Sequence, residues 1–416
     1  MVNAWPRPAG GHSPGRALRL KPPPEERESL RMTDPRKLAV ALVGLCAFLQ
    51  LYPPQSLLPL FAAEFAAGPA AVSLTLSVTT LAVAIVAPFA GLLADRIGRR
   101  KIIVAAIFLM VLPTALAATA NSLETLLLWR ALQGLLLPPI FAIAVAYIGE
   151  EWPAEEVAPV LGVYTAGSVL GGFLGRFIAG LAAEHFGWRG AFLVLAGIEL
   201  IGALVAARFL PPERRFVAAA GFASAIATML RHFRNARILA TFAIGFAILF
   251  SFVALFTYVS FHLAAPPYSL SPAAIGSIFV VYLLGVVTTP LSARWVGRLG
   301  RRRLAGMAAA LWCAAIALTL APSLPLILAG LALAAACGFI CQTLSQGFLA
   351  TAATAGKSSA IGLYVTIYYI GGSAGALAPA PAYAAFGWPG VVALVIAVVA
   401  AMAAAVMLAW REPRRA

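Results

Sequence analysis

Long apolar runs dominate the chain. Between residues 37 and 410 they recur in blocks of about 20 residues, the length that an α-helix needs to cross a ~30 Å hydrocarbon core. Polar residues are confined to the joints between them. The pattern predicts twelve transmembrane helices at 37–60, 71–95, 102–120, 123–148, 160–183, 190–210, 236–261, 271–293, 304–321, 324–348, 360–383 and 389–410. One joint is long: 211–235 carries Pro211, Pro212, Arg214, Arg215, Arg231 and Arg234 around an amphipathic middle. The predicted organisation is a flexible basic tail (1–36), a six-helix bundle (37–210), a linker (211–235), a second six-helix bundle (236–410) and a short tail (411–416). Residues 1–36 hold no apolar run long enough for a signal-peptide core. They read as a tail, or as an extension ahead of a start at Met32.

Composition supports a bilayer as solvent. The chain is 62% hydrophobic and 11% charged, where a soluble domain carries roughly 25% charge. The net charge of +15 could suggest a nucleic-acid partner, but the placement of the cations argues against one. Twelve spans put 27 of the 30 Lys and Arg on one side and Arg189 on the other, with Arg130 and Arg176 inside spans. That asymmetry is the positive-inside pattern and predicts both termini in the cytoplasm. The four cysteines (Cys46, Cys313, Cys337 and Cys341) sit within apolar runs, which fits packing better than a disulfide framework or a metal site.

The two halves repeat. PFAGLLADRIGRRK at 88–101 aligns with PLSARWVGRLGRRR at 290–303, so that Arg96 matches Arg298 and Gly98 matches Gly300. Gly162, Tyr164, Gly171, Gly172, Gly175 and FGW at 186–188 recur as Gly362, Tyr364, Gly371, Gly372, Gly375 and FGW at 386–388. Two parallel six-helix repeats joined by a long linker mark a transporter architecture with its path between the halves.

These residues resemble the major facilitator superfamily over about 36–412. GLLADRIGRRK at 91–101 is similar to that family's loop signature between its second and third helices, and RALQG at 130–134 to its fourth-helix pattern. GSVLGGFLGRFIAG is similar to the glycine-rich fifth helix of efflux members, with Gly172 where many exporters have proline. The Gly175–Arg176 pair is similar to a bacterial branch of drug and sugar exporters. The resemblance implies an all-α fold of twelve helices in two six-helix repeats, in the bacterial inner membrane. It also implies alternating access, a proton gradient rather than a cofactor as energy source, and a small-molecule substrate. A monomer is expected.

The resemblance points to Arg130, with Gln133 and Gly134 beside it, as a link between proton movement and substrate binding. Arg130 lies about 10 Å below the outer surface at 1.5 Å per residue, and Arg176 at similar depth. An intramembrane charge faces a cavity or partner, or snorkels to the interface. Glu199, mid-membrane in the sixth span, is either a proton carrier or a structural pair for Arg176; Glu64 is a weaker proton candidate. In this superfamily the first, fourth, seventh and tenth helices line the cavity. Here they offer Gln50, Tyr52, Gln55, Ser251, Tyr258, Gln342 and Ser345. That set of amides, hydroxyls and aromatics suits a neutral or amphipathic solute. Pro53, Pro54 and Pro59 predict a kink in the first helix.

Gly167, Gly171 and Gly175 line one helix face and allow close helix contact. They are either static packing or a face along which helices slide. GGSAG at 371–375 matches Gly-x-Ser-x-Gly but has no His or Asp in its membrane layer.

The loop motif differs between its copies. Gly91, Asp95, Arg96, Gly98, Arg99, Arg100 and Lys101 make up the first, while the second keeps Arg298, Gly300 and Arg301 to Arg303 and has Gly297 in place of Asp95. Helix N-termini favour negative charge. The eleventh helix starts at KSSA without an acid, whereas the fifth is preceded by Glu150, Glu151, Glu155 and Glu156. Asp95 is thus expected to serve the eleventh helix, and the second arginine cluster to pair with those glutamates, as a latch on the cytoplasmic side.

Three functions remain. The first is a proton-driven exporter, and the second an importer or facilitator of the same fold. The third, a membrane enzyme or receptor, lacks any zinc-protease pattern, P-loop or histidine cluster.

Overall fold

A computed structural model describes residues 34–213, 231–353 and 357–410; the middle of the linker and both tails lie outside them. Described residues form twelve membrane-length helical passes. The first is broken, Pro35–Leu49 then Pro54–Glu64. The second is Pro69–Ile97, the third Arg99–Ala117 and the fourth Leu123–Glu151. Fifth and sixth share the rod Ala154–Phe209, bent at Gly187. The seventh is Ala236–Ala264. The eighth runs as Pro272–Ile278, a tighter 3₁₀ stretch Phe279–Leu283, and Leu284–Leu299. The ninth is Arg301–Leu318, the tenth Leu324–Ala352 and the eleventh Lys357–Leu377. The twelfth lies within Ala380–Ala409, beyond a bend at Gly387.

The sequence repeat is also a backbone repeat. Gly98 and Gly300 end the second and eighth passes at φ 106° and 76°, and Gly187 and Gly387 bend the fifth-to-sixth and eleventh-to-twelfth connections at φ 67° and 62°. These are left-handed or neighbouring conformations that L side chains resist.

Packing follows the same symmetry. A side chain at Gly171 or Gly175 would strike the backbone of Leu45 or Leu49 in the first pass, and one at Gly371 or Gly375 that of Phe246 or Phe250 in the seventh. Gly167 sits likewise on Ala41. All five glycines therefore pack a helix against its own half, which favours static packing over sliding between halves. Apolar residues such as Ile85, Leu112, Ile201 and Leu408 are exposed on the outside of the bundle, where lipid covers them.

The halves close at one end and part at the other. At the end away from the arginine loops, Gln55 Nε2 donates to Thr257 Oγ1 at 3.2 Å and the Ala273 N–H donates to Glu184 Oε1 at 3.1 Å. There Gly180 abuts the Pro272 carbonyl and Gly276 the Arg176 carbonyl. Toward the arginine loops, the second and eleventh passes stay together in one antiparallel register. Ser77 meets Ser373 (2.7 Å), Thr366 Oγ1 donates to the Ala84 carbonyl (3.2 Å), and Gly362 lies on Pro88. The basic-end length of the eighth pass, Leu284–Leu299, barely touches the fifth.

Candidate functional site

Two arginines organise the middle of the molecule. The break in the first pass explains Arg130. Pro53 and Pro54 have no N–H, so the carbonyls four residues earlier lose their helical partners. The Gln55 N–H turns to the Tyr52 carbonyl instead, which leaves that of Leu51 free as well. The Arg130 guanidinium fills the gap: Nη1 donates to the Gln50 carbonyl (2.8 Å), Nη2 to that of Leu51 (2.7 Å) and Nε to that of Thr75 (3.2 Å). Arg130 is wholly buried, which excludes snorkelling. Nη1 also donates to Gln133 Oε1, and Gln133 Nε2 to Thr114 Oγ1 (2.9 Å). Gly134 lets the fourth pass rest on the Thr79 carbonyl. The group carries its charge to the negative end of a broken helix, where cations are favoured.

Arg176 sits in an aromatic box between the halves. The 3₁₀ stretch of the eighth pass makes residues three apart eclipse, so Phe279 and Tyr282 stack with rings 5 degrees apart in tilt and centroids at 5.8 Å. The Arg176 guanidinium carbon lies 4.6 Å from the Phe279 ring, 4.8 Å from that of Tyr282 and 4.5 Å from that of Tyr52 at the first-pass break. Its Nε donates to Gln55 Oε1 at 2.6 Å and its Nη1 to the Gly172 carbonyl. Gly172 differs from its neighbouring glycines: a side chain there would meet nothing nearer than Arg176, at 3.7 Å.

Glu199 is not the partner of Arg176. It lies buried between the sixth and first passes, where Gln50 Nε2 donates to its Oε2 at 3.4 Å, and its Oε1 has no partner among the described residues. The same Gln50 donates to the Leu195 carbonyl (3.2 Å) and offers its own carbonyl to Arg130. A short chain thus runs from Glu199 through Gln50 to Arg130. Glu64 instead pairs with Arg189 at 2.7 Å near the surface.

The expected cavity residues divide. Tyr52 and Gln55 reach the boundary of the halves. Gln50 turns to the sixth pass, away from it. Tyr258 donates to the Ala376 carbonyl (3.0 Å) inside its own half. Ser251 and Ser345 are buried with hydroxyls unpartnered among the described residues, and Gln342 is half-buried. Sequence reasoning missed Phe279 and Tyr282, and also the eleventh-pass pair Tyr368 and Tyr369. Tyr369 meets Phe141 of the other half with centroids 5.8 Å apart, and the Tyr368 and Tyr369 rings lie 5.6 Å apart. The adjacent tyrosines in an apolar run were the available signal.

In the loop motif, Arg99 pairs with Glu150 at 2.7 Å. Arg100 donates to the Leu210 carbonyl at 2.9 Å and to that of Ala207 at 2.6 Å, and its backbone N–H to Glu213. Glu156 pairs with Lys37 at 3.6 Å. These partners belong to the first half and, for Glu213, to the start of the linker. With the halves parted at this end, Arg298 is exposed and Arg301 donates to Thr351 at 3.2 Å, so these two take no part in the expected pairing with the glutamates in this arrangement. Arg96 and Lys101 are exposed, and Gly91 faces open space. The side chains of Asp95 and Lys357 lie outside the described residues. The register of the second and eleventh passes nonetheless carries the Asp95 position to the start of the helix at Lys357. Ser373, the serine of GGSAG, is engaged with Ser77 of the other half rather than a histidine.

Broken passes, a paired six-helix repeat and charged groups at a boundary between halves define a transporter fold. The profile of the Major Facilitator Superfamily matches residues 40–268 and again 260–416. The chain belongs to that superfamily and is a multi-pass membrane transporter, not an enzyme. It is 31% identical, over 81% of its length and 82% of the relative's, to a protein of Buchnera aphidicola (subsp. Schizaphis graminum) called an uncharacterized transporter. It is 31% identical, over 86% of its length, to the MFS-type transporter YybF of Bacillus subtilis, covering 90% of that protein. It is 34% identical, over 64% of each chain, to the inner membrane transport protein YnfM of Escherichia coli. Among solved structures it is similar in fold to a bacterial homolog of the lysosomal transporter Spinster in an inward-facing, unoccupied conformation. That match has a TM-score of 0.74 and 17% identity, over 90% of this chain and 96% of the other.

Proposed function

We propose that the protein is a proton-driven exporter of a small amphipathic solute in the bacterial inner membrane, with both termini in the cytoplasm, working by alternating access. The observation that carries the proton step is the chain Glu199–Gln50–Arg130. Glu199 is the acid buried at mid-membrane depth among the described residues. A buried carboxylate with one amide donor is costly, so gain and loss of a proton there changes what Gln50 must do. Gln50 stands at the first-pass break, which also presents Tyr52 and Gln55 to the boundary between halves. Protonation of Glu199 is thereby linked to the shape of the path. The parting of the halves toward the arginine loops is the inward-open arrangement in this reading. The Asp95 position and the start of the eleventh helix already meet in this arrangement, so in this reading they hold the second and eleventh passes together on the cytoplasmic side while the rest of that end parts.

The test is a proteoliposome assay with purified full-length protein, an imposed pH gradient and a panel of sugars and amphipathic drugs. Solute movement that follows the gradient, with proton flux in the opposite sense, supports the reading. Solute movement indifferent to pH replaces it with a facilitator of the same fold.

A further inference from the structure

We infer that the solute is an organic anion with a planar, aromatic body, held at Arg176. This rests on the transport reading above and adds the charge of the cargo. Arg176 is 4% exposed, and a buried guanidinium ordinarily has a carboxylate partner. Here its hydrogen-bond partners are the neutral amide of Gln55 and the carbonyl of Gly172; Nη2 makes no hydrogen bond among the described residues. The membrane acid that could neutralise it, Glu199, belongs to the other face of the first pass. Among the described residues the charge is left without a counter-ion, at the boundary where a solute must sit. A guanidinium presents paired N–H donors that match a carboxylate in two-point geometry.

The walls define the rest of the cargo. Tyr52, Phe279 and Tyr282 supply ring faces around the guanidinium. Tyr369 meets Phe141 across the boundary of the halves, with Tyr368 beside it. Flat apolar bodies stack on such faces, and the phenol hydroxyls offer hydrogen bonds at the rim. Gly172 carries no side chain to crowd Nη1, which lies 3.7 Å from where a Cβ would stand. A cationic solute would meet a like charge with no acid to offset it.

Three probes with one ring and different head groups test this: 4-hydroxybenzoate, its neutral amide 4-hydroxybenzamide, and 4-hydroxybenzylamine. Binding to the purified full-length protein is measured by calorimetry in nanodiscs. The wild type is expected to bind the acid at least tenfold more tightly than the amide and to reject the amine. Arg176→Gln, checked for a monodisperse elution profile, is expected to abolish the acid-over-amide preference, while Arg176→Lys keeps part of it. Equal or inverted preference in the wild type overturns the inference without needing a variant, as does an acid preference that survives Arg176→Gln. Proteoliposome transport separates the two readings. A neutral or cationic solute that moves equally well in wild type and Arg176→Gln overturns the anion inference alone, whereas no movement of any solute by the wild type overturns transport itself.

Discussion

Arg176 and Tyr282 meet across the two halves of the protein, the guanidinium carbon 4.8 Å from the ring centroid. One belongs to the fifth pass and the other to the 3₁₀ stretch of the eighth, so the contact exists while the outer end is shut and must break for it to open. A cation–π contact of this kind contributes about 1 kcal/mol.

Tyr282→Ala is therefore expected to shift the resting population toward outward-open by roughly fivefold, since 1.4 kcal/mol is a factor of ten. Labelling rates of a single cysteine placed at the outer rim, in a background without the four native cysteines, report this. An unchanged rate would show that the box does not hold the outer end closed.

Arg130→Ala is expected to destabilise the fold, because it strands the carbonyls of Gln50, Leu51 and Thr75 in a dry site. Each costs about 1–3 kcal/mol when left unpaired. Arg130→Lys reaches fewer of them and should fall between. Melting of the purified protein in detergent checks both. A Tm within about 2 °C of wild type for Arg130→Ala would assign the residue to function without a structural share.

Glycine substitutions separate close backbone packing from ordinary contact. Gly171→Val and Gly375→Val would drive side chains into the backbones of Leu45 and Phe250 and should prevent accumulation of folded protein. Gly172→Ala, one position along, meets little and should leave folding intact. Fluorescence-detected size exclusion distinguishes them. Equal loss in Gly172→Ala and Gly171→Val would contradict the assignment of faces.

The passes, the repeat and the kink of the first pass could be read from the sequence, because each depends on local physics. Membrane-length apolar runs set the helices, and the recurring glycines of GRR and FGW predicted related positions; the structure gives four of them positive φ in two repeat pairs. What could not be read lies where the helix is irregular. The break after Leu49 turns Gln50 toward Glu199 and Tyr52 toward Arg176, and no 3.6-residue period describes that. The 3₁₀ stretch likewise aims Phe279 and Tyr282 at one point. Neighbouring helices put Arg176 and Glu199 within reach of one another on paper, but the two residues face opposite sides of the first pass.

Asp95→Asn is expected to loosen the joint between the second and eleventh passes, which stays made while the rest of the cytoplasmic end is parted, since their register sets that position against the helix starting at Lys357. An acid at a helix N-terminus contributes about 0.3–1 kcal/mol, so the shift in inner-rim labelling should be about two- to fivefold. Transport and labelling identical to wild type would remove Asp95 from the latch.

The central claim is that Glu199 carries the proton whose movement drives the solute. It is tested most directly by comparing wild type and Glu199→Gln in proteoliposomes, using a solute that the wild type moves. Exchange of labelled for unlabelled solute is measured at equal pH, and accumulation under an imposed pH gradient. The account predicts that Glu199→Gln keeps exchange and loses gradient-driven accumulation. Accumulation at the wild-type level in Glu199→Gln would contradict it.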